Sequence, residues 1–169
     1  MGLPAIQTPR LLLRPWTAGD VDALHALWVT SEVRRYLWDD SVISREVAAQ
    51  AVDSHLDTVE RHGIGYWALH IRGSPSEAPI AGFCGLRFFG ESADIELMYG
   101  LRAEHWGKGL ATEACLEAVD YLWRSTPFGV LYARTDLPNE RSVRLMKRLG
   151  MRGHSEDGSM ITYVLERPT

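Results

Sequence analysis

Trp106-Gly107-Lys108-Gly109-Leu110-Ala111-Thr112-Glu113-Ala114 is the stretch that decides how this chain is read. Two glycines flank a lysine, and a helix start follows at once. An apolar, strand-like run, Ile95 to Leu101, lies just upstream. Strand, glycine turn and helix, in that order, aim bare backbone N–H groups at one point, which is how proteins hold phosphate groups. A lone Gly-x-Gly more often just joins a strand to a helix, so the rest of the chain must decide. The P-loop spacing is absent. The dinucleotide fingerprint fails because Thr112 stands where its third glycine belongs, and the turn comes late, after strands that read as antiparallel. A nicotinamide cofactor is therefore not expected.

Working outward, Arg10 to Arg14 reads as a strand ended by Pro15. Thr17-Ala18-Gly19-Asp20 resembles a capping box, with Val21, Leu24, Leu27 and Trp28 at helical spacing behind it. Ser44 to about Arg61 is a second helix with Ala48, Val52, Leu56 and Val59 on one face, stopped at Gly63 or Gly65. Gly65–Ile71, Pro79–Phe89 and Glu91–Leu101 read as three strands whose short connections favour antiparallel pairing. After the glycine turn, Ala111, Ala114, Cys115, Ala118 and Leu122 mark a helix face. Val130–Thr135 is a strand, and Asn139–Leu149 a helix with Val143, Met146 and Leu149 inward and Gly150 as its stop. Met160–Leu165 is a final strand. No repeat, linker or low-complexity segment divides the chain, so a single α+β domain over residues 1–169 is expected.

Composition narrows the function. The 169 residues suit one domain with a sizeable core, and the formal net charge of −4 argues against a general nucleic-acid binder. The two cysteines, Cys84 and Cys115, lie in apolar surroundings and read as buried thiols of a cytoplasmic protein. Met1-Gly2-Leu3-Pro4 lacks the features of a signal peptide, and no run of about 18 apolar residues suggests a membrane span. The six histidines show no ligand spacing, so no metal is expected.

Several segments together resemble the GNAT family of N-acetyltransferases. Its acyl-CoA signature, Gln/Arg-x-x-Gly-x-Gly/Ala, is matched as Trp106-x-x-Gly109-x-Ala111. Glu96-Leu97-Met98-Tyr99-Gly100-Leu101, Thr8-Pro9-Arg10-Leu11-Leu12-Leu13-Arg14-Pro15-Trp16 with Asp20, Asn139-x-x-Ser142 and Leu149-Gly150-Met151 are similar to the branch that acetylates ribosomal-protein N-termini, the RimJ/RimL type. The resemblance spans nearly the whole chain. It implies the GNAT fold, a central mixed, mostly antiparallel sheet flanked by helices, and acetyl-CoA as co-substrate.

It also implies roles. The amides of Gly107, Lys108, Gly109, Leu110, Ala111 and Thr112 would receive the coenzyme A pyrophosphate. A helix N-terminus offers such donors, and glycines let the backbone come close. Trp106 departs from the family's Gln/Arg, which matters little if backbone does the binding; Lys108 adds charge or is simply a solvated turn lysine. The backbone of Tyr99, Gly100 and Leu101 would pair with the pantetheine arm, and a nearby N–H would stabilise the oxyanion. Glu96 is the candidate base, with Asp94 and Glu91 behind it; its bland alternative is an exposed strand glutamate. Asn139 is a helix N-cap, a pantetheine partner, or both. Many members use a tyrosine one turn further along this helix as acid; that position is Met146 here, so Ser142 inherits the role, as in the ribosomal-protein branch. Cys115 reads as core packing, and an acyl-cysteine route lacks an activating base. Trp38 and Asp39-Asp40, between the first two helices, are guesses for the acceptor cleft.

The expectation is direct acetyl transfer from acetyl-CoA to a primary amine. The acceptor is a protein N-terminus or a small molecule such as an amino acid, polyamine or antibiotic. A non-catalytic acyl-CoA-binding module is the rival reading. Oligomeric state, a homodimer included, is left open.

Overall fold

The computed structural model describes residues 2–169. Its strands are β1 (Ile6–Gln7), β2 (Leu11–Pro15), β3 (Tyr66–Ile71), β4 (Gly82–Phe88), β5 (Ile95–Leu101), β6 (Val130–Asp136), β7 (Arg152–Asp157) and β8 (Met160–Glu166). They form one eight-stranded sheet in the order β1-β2-β3-β4-β5-β6-β8-β7. The helices are α1 (Val21–Trp28), α2 (Ser31–Leu37), α3 (Arg45–His62), α4 (Leu110–Ser125) and α5 (Glu140–Arg148).

Neighbouring strands are antiparallel except β5 and β6. That pair is parallel and touches only at Ile95↔Leu131 and Glu96↔Tyr132. Beyond those residues the two strands run on to Leu101 and Asp136 without pairing with each other, which opens a gap in the middle of the sheet.

Each face of the sheet has its own core. On one, Leu110, Ala114, Cys115, Ala118 and Leu122 of α4 and Leu145 and Met146 of α5 pack on Leu11, Leu13, Trp67, Leu86, Ile95 and Leu97. On the other, α1, α2 and α3 cover Tyr66, Ala68 and Phe83. Here aromatic rings meet: Trp16 stacks on Tyr66 at 4.5 Å and meets Trp28 edge-on at 5.5 Å, and Trp28 meets Trp38 at 5.6 Å. Such pairs add to the area they bury.

His55 lies in this cluster, 4.2 Å from the Tyr66 ring and 5.4 Å from Trp16. Burial, helped by the nearby Arg87 charge, holds its imidazole down to about 4. An unfolded histidine protonates near pH ~6.5. Between these values the unfolded chain binds more protons, so His55 contributes stability that is complete above the unfolded value and is lost as pH falls towards 4. The loss of Tm between about pH 7 and pH 5.5 is accordingly expected to be smaller in His55→Phe than in the parent. Equal losses would show that His55 is not the source.

Several local readings change. Asp20 accepts the Thr17 N–H at 2.7 Å, as the capping box requires, and it also accepts from the Thr17 hydroxyl at 2.9 Å. The box therefore opens a short 3₁₀ turn, Ala18–Asp20, ahead of α1. Between the first two expected helices lies a further one, α2. Met146 and Leu149 are buried as expected, but the inward face of α5 also takes in Ser142 and Leu145, and Val143 is only partly buried. β1 and β7 were not anticipated; every residue of β7 is exposed.

Candidate active site

The glycine turn is built for backbone recognition. Gly107 and Gly109 have φ of +73° and +77°, the left-handed region that glycine enters without a Cβ penalty. Gly109 is the N-cap of α4. Among the described residues nothing accepts a hydrogen bond from the amides of Gly107 through Thr112. A helix dipole adds partial positive charge at the same place.

The turn is anchored from below by the start of the chain. Arg10 Nε donates to Glu113 Oε2 at 2.6 Å, and Arg10 Nη1 donates to the Lys108 carbonyl at 2.6 Å. The Thr8 hydroxyl and the Arg10 N–H both donate to Glu113 Oε1. Burial pushes the Glu113 carboxyl up, but these bonds outweigh it and hold the group below its usual range. Lys108 Nζ donates to the Glu104 carbonyl at 2.9 Å.

From this turn a groove runs along the gap between β5 and β6. Tyr99, Gly100, Leu101, Trp106 and Ala111 line it, with Asn139, Arg141, Ser142 and Leu145 from the α5 side. The stretch of β5 beyond Glu96 has β4 on one side and no strand on the other, so a backbone edge is open to a ligand. The Leu101 carbonyl already accepts from the Trp106 indole N–H at 3.0 Å.

Ser142 Oγ and the Tyr99 phenol are 2.5 Å apart. Burial pushes the Tyr99 phenol well above its ordinary range, so it stays protonated and able to donate. The sequence reading used Tyr99 for its backbone alone; the phenol is an addition. Asn139 caps α5, its Oδ1 accepting from the Ser142 N–H at 3.2 Å and its Nδ2 donating to Thr135 Oγ1 at 3.0 Å. This holds Ser142 in place in the first turn of the helix. Arg141 lays its guanidinium 3.7 Å from the centre of the Trp106 ring, so a cation stands beside the position where Trp106 replaces a polar residue.

The groove opens on the opposite face of the sheet beside α2, where Glu32, Val33, Tyr36 and Leu37 line it with Met98 and Arg134. Glu96 points to this face but is only 2 % exposed, with Oε2 bound to Arg87 Nε at 2.7 Å and Oε1 to Arg134 Nε at 3.0 Å. It is not an exposed strand glutamate. Arg134, rather than Glu96, forms the wall. Asp94 and Glu91 are exposed at the far end of the β4–β5 connection and do not line the groove. Asp39 and Asp40 do not line it either: Asp40 pairs with Arg34 at 3.0 Å, and Trp38 packs into the aromatic core.

Sequence reasoning missed Glu32, Tyr36, Arg134 and Arg141, which reach the groove from three separate elements. Cys84 and Cys115 are both free and buried, their sulfurs 3.7 Å apart. Burial raises the Cys115 thiol, which suits core packing and not a nucleophile. Among the described residues there is no cluster of potential metal ligands, and no helix is long and apolar enough to cross a membrane.

Bare amides at a helix start, an open strand edge leading from them and a through-going gap suit an acyl-CoA-dependent transferase, the class the sequence motifs resemble. A family model for the acetyltransferase (GNAT) domain matches residues 10–152. The chain belongs to this GNAT family of N-acetyltransferases and uses acetyl-CoA as its acyl donor. It is 28% identical to an uncharacterized N-acetyltransferase, YoaA, of Bacillus subtilis, over 98% of this chain and 91% of that one. It is 24% identical to spermidine N(1)-acetyltransferase of Escherichia coli, over 82% of this chain and 70% of that one. Among solved structures, the RimL ribosomal L7/L12 alpha-N-protein acetyltransferase in complex with coenzyme A superposes with a TM-score of 0.79 at 15% identity, covering 98% of this chain and 97% of that one.

Proposed function

We propose that the chain moves an acetyl group directly from acetyl-CoA to a primary amine in the gap between β5 and β6, as a member of the RimJ/RimL-like branch. The observation that carries this reading is the run of unpartnered amides from Gly107 to Thr112 beside the open edge of β5. The pyrophosphate sits on those amides, and the pantetheine arm pairs with Tyr99, Gly100 and Leu101 and passes Asn139. Ser142 then donates a hydrogen bond to the thiolate as it leaves. The proton of the acceptor amine goes to Glu96. Because that carboxylate lies beneath Arg134, the proton travels through water. A second base is favoured by one observation: Glu32 is the carboxylate that lines the groove itself.

Two measurements test the reading. Coenzyme A at saturating concentration should raise Tm. Acetyl-CoA should release thiol when mixed with a panel of peptides, amino acids, polyamines and aminoglycosides. No thermal shift overturns the cofactor site, and a shift without thiol release leaves the non-catalytic module. For the base, Glu96→Gln should cut kcat about 10²-fold at neutral pH, with partial recovery as pH rises. If Glu32→Gln shows that pattern instead and Glu96→Gln does not, the base is Glu32.

A further inference from the structure

The end of the groove beside α2 carries a defined arrangement of charges. Glu96 is clasped between Arg87 and Arg134, so the trio holds one net positive charge at the inner end of the groove. Arg134 uses only Nε on Glu96, and its guanidinium lies 4.4 Å from the centre of the Phe89 ring, which fixes its plane. Neither of its terminal nitrogens has a partner among the described residues, and its side chain is 35 % exposed on the groove wall. A planar fork with free donors, held by an ion pair and a ring, is preorganised for two parallel bonds to a carboxylate. Glu32 lines the same groove from α2, and no cation pairs with it among the described residues. Apolar side chains, Val33, Leu37 and Met98, lie along the groove with these charges.

We propose that the acceptor is an amine that carries a carboxylate close by, an α-amino acid or a similar amino-carboxylic acid, with Arg134 as the residue that selects it. This rests on the acetyltransferase reading above. Arg134 takes the carboxylate, and the apolar wall takes the acceptor's side chain. A polyamine has no carboxylate for the Arg134 fork, so it forgoes the bonds that select the acceptor.

The test uses the full chain with saturating acetyl-CoA and follows thiol release. Its acceptors are a set of free α-amino acids, the same amino acids as C-terminal amides, short N-terminal peptides, and spermidine. Free amino acids are expected to exceed their amides in kcat/KM by at least about tenfold, and spermidine by more. Arg134→Gln should erase the preference for acid over amide while leaving the thermal shift with coenzyme A unchanged, and Arg134→Lys should restore part of it. Equal rates for acids and amides, a preference for spermidine or for peptides, or an Arg134→Gln variant that keeps the preference would each overturn the proposal. These outcomes leave the enzyme reading standing. No thiol release with any amine removes both.

Discussion

Replacing Ser142 by alanine is expected to lower kcat about 10²- to 10³-fold while KM for acetyl-CoA changes less than about threefold. The reasoning starts from the leaving group. Collapse of the tetrahedral intermediate frees a thiolate, and a developing thiolate needs a hydrogen-bond donor more in the transition state than the thioester does in the ground state. Ser142 stands at the start of α5 and lines the groove. An alkoxide is far more basic than a thiolate, so in the proposed role the serine would act by donating a bond, with its proton kept pointing at the sulfur. The proposal assigns that control to the Tyr99 phenol, 2.5 Å away. Held protonated by burial, it keeps a proton that it can give to Ser142 Oγ, and the serine hydrogen is then free to face the groove. Tyr99→Phe should therefore cost less than Ser142→Ala, about three- to tenfold in kcat, because only orientation is lost. Steady-state kinetics on both variants decides the point. An Ser142→Ala variant with parental kcat would clear the serine of any part in catalysis.

Gly107→Val is expected to raise KM for acetyl-CoA at least about 30-fold and to abolish the thermal shift produced by coenzyme A. Two effects add. At φ +73° an L side chain is strained, by about 1–2 kcal/mol, and the turn will try to relax out of its anion-facing shape. A Cβ built at Gly107 meets no protein atom within 4 Å, so the added side chain enters open space beside the amide row, where the ligand phosphates would lie. The unliganded protein should lose only a few degrees of Tm, at about 2–4 °C per kcal/mol for a chain of this size. Lys108→Ala is the control. Its ammonium is spent on the Glu104 carbonyl, and a change below about threefold in KM is expected. A large loss with Lys108→Ala and none with Gly107→Val would mean that charge, not backbone, holds the cofactor.

What could be read from the residues alone divides along physical lines. The turn at Gly107–Gly109 and the helix behind it were legible because left-handed glycines and an apolar stripe are local signals. Asn139 was legible as a cap for the same reason. α2 was not: Ser31–Leu37 buries only Val33 and carries Arg34 and Arg35, so it presents no stripe. β7 reads Arg-Gly-His-Ser-Glu-Asp, with no alternation, because it is an exposed edge held by pairing with β8. The setting of Glu96 was half legible. Arg87 faces it directly across the β4–β5 hairpin, a relation that follows once the hairpin register is known. Arg134 lies on β6, just past its short parallel contact with β5, and no local pattern announces that neighbour.

The gap between β5 and β6 has a kinetic consequence. Its two mouths lie on opposite faces of the sheet, one beside α4 and α5 and the other beside α2. On the direct-transfer proposal the thioester and the amine would approach from different sides, and neither would have to depart before the other arrived. Double-reciprocal plots at several fixed acceptor concentrations should then intersect. A set of parallel lines would mean that the enzyme is acetylated between two separate visits.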